Sequence, residues 1–162
     1  MTLARRVASG AGAGVGATLL MTAFMFAAKR AGMLVELAPR TITRRASDQL
    51  LDRRPGPEAL DAASAVTHLG VGVGWGLLHA LLLSRLRLRM PGRLAVGALY
   101  GLAIWTLSYW AALPRLGLMP PPSSDERQRP QAMALAHLVY GSALALLDRS
   151  SSGHDGSSDR SR

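Results

Sequence analysis

Three histidines inside apolar runs carry most of the chemistry that this 162-residue chain offers. Two of them stand in one motif that occurs twice. Ala65-x-x-His68-Leu69-x-x-Gly72 and Ala134-x-x-His137-Leu138-x-x-Gly141 share their spacing, and each is followed by a Leu-Leu pair, Leu77-Leu78 and Leu146-Leu147. His79 follows His68 by eleven residues, which on a helix returns to within about 20° of the same face, about 16 Å farther along. Gly72 and Trp75 share that stripe. His68 and His79 are too far apart to hold one metal ion together, and no Asp or Glu within the runs completes a ligand set. An imidazole in such a place either stays neutral and bonds to a neighbouring helix, or takes up a proton and responds to pH. His68, His79 and His137 are therefore the candidate functional residues. His154, near the C-terminus, is read as inert.

Other chemistries are thinly supported. There is no cysteine, so disulfides, thiol catalysis and Cys-ligated metals are excluded. No Ser/His/Asp set, P-loop or metalloprotease motif occurs. Gly12-x-Gly14-x-x-Ala17 imitates a dinucleotide fingerprint, but no strand precedes it and no acid follows at the expected distance, so these glycines are assigned to packing. No catalytic, cofactor or metal residue is nominated, and the chain is not expected to be an enzyme.

The elements that must position the histidines are four apolar runs, at about residues 7–28, 62–83, 94–113 and 131–147. A 22-residue run makes a helix about 33 Å long, enough for a hydrocarbon core of about 30 Å. The last run reaches only about 25 Å, the low end of what can cross. The first is read as a span rather than a cleaved signal, since it ends Phe26-Ala27-Ala28-Lys29 without a small-x-small site. Hydrophobic residues make up 49% of the chain but aromatics only 5%, with 17 glycines, a balance that suits closely packed membrane helices better than a soluble core. Gly12, Gly16, Gly72, Gly76, Gly97, Gly101 and Gly141 are the expected contact points. The expected fold is thus all-α, a four-helix transmembrane bundle forming one domain over residues 1–147, with 148–162 a disordered polar tail.

The formal charge of +9 comes almost entirely from arginine. In a soluble protein it would suggest nucleic acid. Here the arginines lie between the runs, where they set topology and meet anionic lipid headgroups, so the bilayer is the expected partner and nucleic acid is not. The Arg85, Arg87, Arg89 and Arg93 loop is short, basic and free of acids, which places it and both termini in the cytoplasm. The longer connector, 29–61, mixes bases with acids. Within it Thr41–Leu51 has the pattern of a short amphipathic helix, and Pro57 is placed to begin the next span, with Glu58 and Asp61 in its first turn. Trp105, Tyr109 and Trp110 suit a membrane–water interface, and Pro114 is expected to end the third span.

The chain also resembles itself. The histidine motifs lie 69 residues apart. At an offset of 85, Gly12, Gly16, Arg30 and Gly32 meet Gly97, Gly101, Arg115 and Gly117. Two tandem two-helix repeats would enter the membrane from the same side, related by an axis along its normal. His68 and His137 would then lie at equivalent depths.

Gly97-Ala98-Leu99 before an aromatic-rich span, Pro114, Gly117-Leu118-Met119-Pro120-Pro121, His68 with Trp75 and His79, and His137-Leu138-Val139 together resemble the YagU-like family of small bacterial inner-membrane proteins, a domain of unknown function. The resemblance covers about residues 7–147 and implies a four-helix inner-membrane protein; it supplies no established catalytic residue. The functional expectation is a non-enzymatic structural, interaction or stress-related membrane component, able to self-associate or bind another membrane protein. The alternative is a small pH-responsive transporter or proton conduit using the intramembrane histidines.

Overall fold

Twenty-eight residues without an acidic group, Leu3–Arg30, form the first helix, α1. The computed structural model describes residues 2–51, 54–83, 86 and 88–148, and all regular structure among them is helical. After α1 come α2 (Ala38–Leu50), α3 (Pro57–Leu83), α4 (Met90–Arg115) and α5 (Arg129–Leu147). All but α2 are long and apolar enough to cross a membrane, so the chain is a multi-pass helical protein. Each span exceeds its sequence-derived bounds because its polar first or last turn is also helical. Pro57 does begin α3, and Glu58 lies in its first turn.

The spans alternate in direction, so one face of the bundle gathers the ends at residues 3, 83, 90 and 147. That is the terminal face; the opposite one is the connector face. α1 packs against α3 and α5, α5 packs against α4, and α2 rests on α3. α3 and α4 share no extensive packing. They meet mainly through Tyr100, whose hydroxyl donates to the Trp75 carbonyl (2.8 Å) and whose ring stands edge-on to Trp75 and His79.

Glycine lets the paired backbones touch. A Cβ on Gly76 would stand 2.6 Å from both the Gly14 Cα and the Gly10 carbonyl oxygen, and one on Gly97 would stand 2.7 Å from the Ala145 Cβ. Gly72, Gly101 and Gly141 are equally committed, against Thr18, the His137 backbone and the Gly97 backbone. The expectation for α1 is corrected. Its contact frame is Gly10 and Gly14, whereas Gly12 faces open space and Gly16 meets only the end of the Leu147 side chain. Two frames interleave here, and sequence alone does not say which one the helix turns inward.

The shared Arg-x-Gly at the ends of α1 and α4 is a helix stop. Gly32 and Gly117 both have positive φ, +78° and +69°. Met33 N–H donates to the Ala28 carbonyl and Leu118 N–H to the Leu113 carbonyl, closing the same wide turn 85 residues apart. Pro114 therefore does not end its helix; the glycine after it does. Ahead of that stop, Thr106–Ala112 of α4 winds as a π-helix, a wider coil that often occurs at functional positions.

Polar clusters seal the connector face. Arg40 donates to Glu36 (2.7 Å) and Asp61 (2.5 Å), and Arg44 and Thr41 also donate to Glu36. Burial works against the Glu36 carboxylate, but the bonds from Thr41 and Arg40 and the charges of Arg44 and Arg40 outweigh it. They hold its pKa below the ordinary value. Buried Arg129 pairs with Asp125 (3.2 Å) and Glu126 (2.6 Å), and Asp125 also accepts from the Tyr109 hydroxyl. Tyr109 is consequently buried rather than part of an interfacial belt; Trp110 remains exposed.

Candidate functional site

Between α3 and α4, where direct packing fails, the bundle holds a half-enclosed cavity of about 200 Å³. Its walls come from all five helices. Met21 and Met25 of α1, Trp75 of α3, Ile104 of α4 and Met133 of α5 make most of it apolar, and Pro39 and Ile42 of α2 cover its connector-face end. Thr67 and Val71 of α3 are exposed at its edge, beside the gap. His68 lies eleven residues into α3 and His137 eight into α5, so the two imidazoles stand about 12–16 Å into the bundle from the connector face.

His68 and His137 both line this space. Three of the surrounding hydroxyls are turned toward backbone: Thr18 donates to the Gly14 carbonyl (2.7 Å), Tyr140 to Gly72 (2.5 Å) and Ser64 to Pro39 (3.2 Å). His137 Nδ1 lies 2.8 Å from the Met133 carbonyl oxygen. A carbonyl can only accept, so Nδ1 carries the proton and neutral His137 keeps Nε2 as an acceptor. His68 Nε2 is buried and has no partner among the described residues. The two histidines of the repeated motif thus line one cavity.

His79 belongs elsewhere. It is buried at the terminal face, with Nδ1 3.2 Å from Asp148 Oδ2, while Ser9 donates to Asp148 Oδ1 (2.9 Å). Arg93 donates to the Ala145 and Asp148 carbonyls (2.7 and 2.9 Å). Two expectations are corrected here. Asp148 is not the start of a disordered tail but a 1%-exposed residue joining α1, α3 and the end of α5. Arg93 turns inward to the C-terminal carbonyls of α5, where a helix dipole favours a cation, instead of meeting headgroups. Arg89 is exposed, and Arg85, Arg87 and residues 149–162, with His154, lie outside the described residues. No group of three or more His, Asp or Glu able to hold a metal occurs among the described residues.

A serine, an aspartate and a histidine in contact invite comparison with a hydrolytic triad. The order is wrong. In a triad the imidazole lies between hydroxyl and carboxylate; here the carboxylate lies between the other two. The arrangement ties helices together.

A model for a family of unknown function, DUF6789, matches residues 4–157. The chain belongs to DUF6789. The match runs through every DUF6789 helix described above, including α2 and Asp148. No curated protein and no solved structure matches the chain.

Sequence reasoning missed Asp148, although a signal for it was present. His79 and Asp148 are 69 residues apart, the separation of His68 and His137. Two residues of the first histidine-bearing helix therefore face residues 69 positions farther on: His68 with His137 around the cavity, and His79 with Asp148 at the terminal face.

Proposed function

We propose that this protein is a non-enzymatic component of the bacterial inner membrane that holds a small amphiphilic molecule from the bilayer. The observation that carries this reading is the cavity: mostly apolar, open at its side between two spans, covered by α2, and carrying two imidazoles. A volume of about 200 Å³ is ample for a ring or a short chain, since a cavity of about 150 Å³ accommodates benzene. The test uses proteoliposomes containing photoreactive dodecyl amphiphiles with a diazirine on the chain. Labelling should concentrate on the cavity-lining parts of α3 and α5 and fall several-fold in Ser108→Trp, which fills the space. Labelling spread evenly over outward-facing leucines, and indifferent to that substitution, would refute the reading.

The same proposal places both termini in the cytoplasm, on the argument of the short arginine-rich loop between α3 and α4. A C-terminal reporter active only outside the cytoplasm would overturn that. Kinship with YagU-like proteins, contact with anionic lipids and the absence of a nucleic-acid partner complete the proposal. Self-association is a second element. Gly12, Gly70 and Gly74 meet nothing within 4 Å and leave room for a close helix–helix approach. Only monomer after crosslinking in native membranes would remove it.

A pH-responsive conduit is the less favoured reading. Along α3 and α5, the Tyr140–Gly72 hydrogen bond falls between the cavity histidines and His79.

A further inference from the structure

The polar chemistry of the cavity is narrower than its apolar walls suggest, and it selects among the amphiphiles of the bilayer. We infer that the cavity takes an uncharged, hydroxyl-bearing lipophile, with its chain or ring on the apolar wall and its hydroxyl between His68 and His137. This rests on the reading of the cavity as a ligand site and adds the ligand's head.

The argument turns on which hydrogen-bonding groups remain available. Thr18, Ser64, Tyr140 and Tyr109 already donate to partners within the protein, whereas the hydroxyls of Thr43, Thr67 and Ser108 line the cavity and donate to none among the described residues. His137 is fixed by the Met133 carbonyl as the Nδ1–H tautomer, so it offers an acceptor and no further donor. His68 Nε2 is buried without a partner, a state that costs free energy until a ligand or water satisfies it. A hydroxyl both donates and accepts. It donates its proton to His137 Nε2 and accepts from a ring N–H of His68, in the Nε2–H tautomer, and neither histidine changes charge.

The competing heads fit less well. A carboxylate only accepts, so it cannot bond to His137 Nε2 unless that ring is protonated, and it brings a negative charge into an apolar space. The ion pairs described around the cavity's connector-face end, Arg40 with Glu36 and Asp61 and Arg129 with Asp125 and Glu126, already engage the arginines there. An ammonium head meets no carboxylate among the cavity-lining residues. A hydrocarbon leaves His68 as it is. The side opening between α3 and α4 lets a long ligand keep its far end in the bilayer.

The test compares three photoreactive probes of one chain length in proteoliposomes of the full chain: a dodecanol, a dodecane and a dodecanoate, each with a chain diazirine. The alcohol should label the cavity residues of α3 and α5 about five- to tenfold more than the hydrocarbon, the factor expected of one or two net hydrogen bonds. Unlabelled 1-decanol should compete and decane should not, a comparison that needs no variant. His68→Leu with His137→Leu should reduce alcohol labelling to the hydrocarbon level, while Trp110→Phe, at a lipid-facing position, should leave it unchanged. If the hydrocarbon labels the cavity as well as the alcohol, or the carboxylate labels it best, the inference is wrong and the ligand site stands. If no probe labels the cavity, both fail.

Discussion

The tight frame between α1 and α3 can be tested by adding a single carbon atom. In Gly76→Ala the new Cβ would lie 2.6 Å from the Gly14 Cα and the Gly10 carbonyl oxygen, both backbone atoms that no rotamer can move. Ordinary contact begins at 3.4 Å, so the helices must separate by about 0.8 Å or tilt. A radial gap of about 0.5–1 Å forfeits a quarter to a half of the dispersion energy of each atom pair across it. In a bilayer no hydrophobic drive between helices compensates, because lipid tails are as apolar as the side chains. The expected loss is about 1–3 kcal/mol. Gly12→Ala and Gly74→Ala add the same carbon where nothing lies within 4 Å. They remove a helix-destabilising glycine and should be neutral, or stabilising by up to about 1 kcal/mol. The assay is reversible SDS unfolding in mixed micelles, followed by tryptophan fluorescence. A cost for Gly12→Ala or Gly74→Ala equal to that of Gly76→Ala would refute the assignment of which glycines face inward.

Asp148→Ala removes the acceptor shared by Ser9 and His79 at a 1%-exposed position; we expect about 2–3 kcal/mol in the same assay, with Asp148→Asn costing less. Gly117→Ala should cost about 1–2 kcal/mol, because an L-residue is forced to φ +69°, whereas Pro114→Ala, at a residue that does not stop the helix, should cost less. Glu36 titrates below the ordinary carboxylate value, so its contribution to docking α2 is complete above an unfolded pKa of about 4.3 and is lost as pH falls through its lower folded value. Proteolysis of the α2 connector should accelerate over that acid range. Glu36→Gln should abolish the dependence; a connector equally protected throughout would contradict it.

Much of this was legible in the sequence, since run length, charge-free stretches and proline position depend on local physics. The four spans, the amphipathic α2 and Pro57 as a first residue follow from such signals. What was hidden depended on rotation and partners. The alternating glycines of α1 give two equivalent frames, and only the position of α3 selects Gly10 and Gly14. Tyr109 looked like an interfacial aromatic until the loop residue Asp125 met its hydroxyl. Asp148 looked like tail because a carboxylate after an apolar run is ordinarily solvated, and its partners Ser9 and His79 are remote in sequence. The similar depth of His68 and His137 was legible, because a repeated motif carries depth as well as identity; that both line one cavity was not.

The gap between α3 and α4 has a consequence for the symmetry of the molecule. A two-fold relation between the halves exchanges α1 with α4 and α3 with α5, so the close packing of α1 on α5 would be copied as packing of α4 on α3. That copy is missing. Its place is taken by features with no counterpart in the other half: a π-wound stretch in α4 where α1 is regular, and a helical connector where the second half has a short loop. A fused pair of repeats is free of the constraint that binds a homodimer, in which every interface group must face its own twin. His79 opposite Asp148 uses that freedom for complementary chemistry. The cavity uses it for space, lying where the two halves have ceased to be alike.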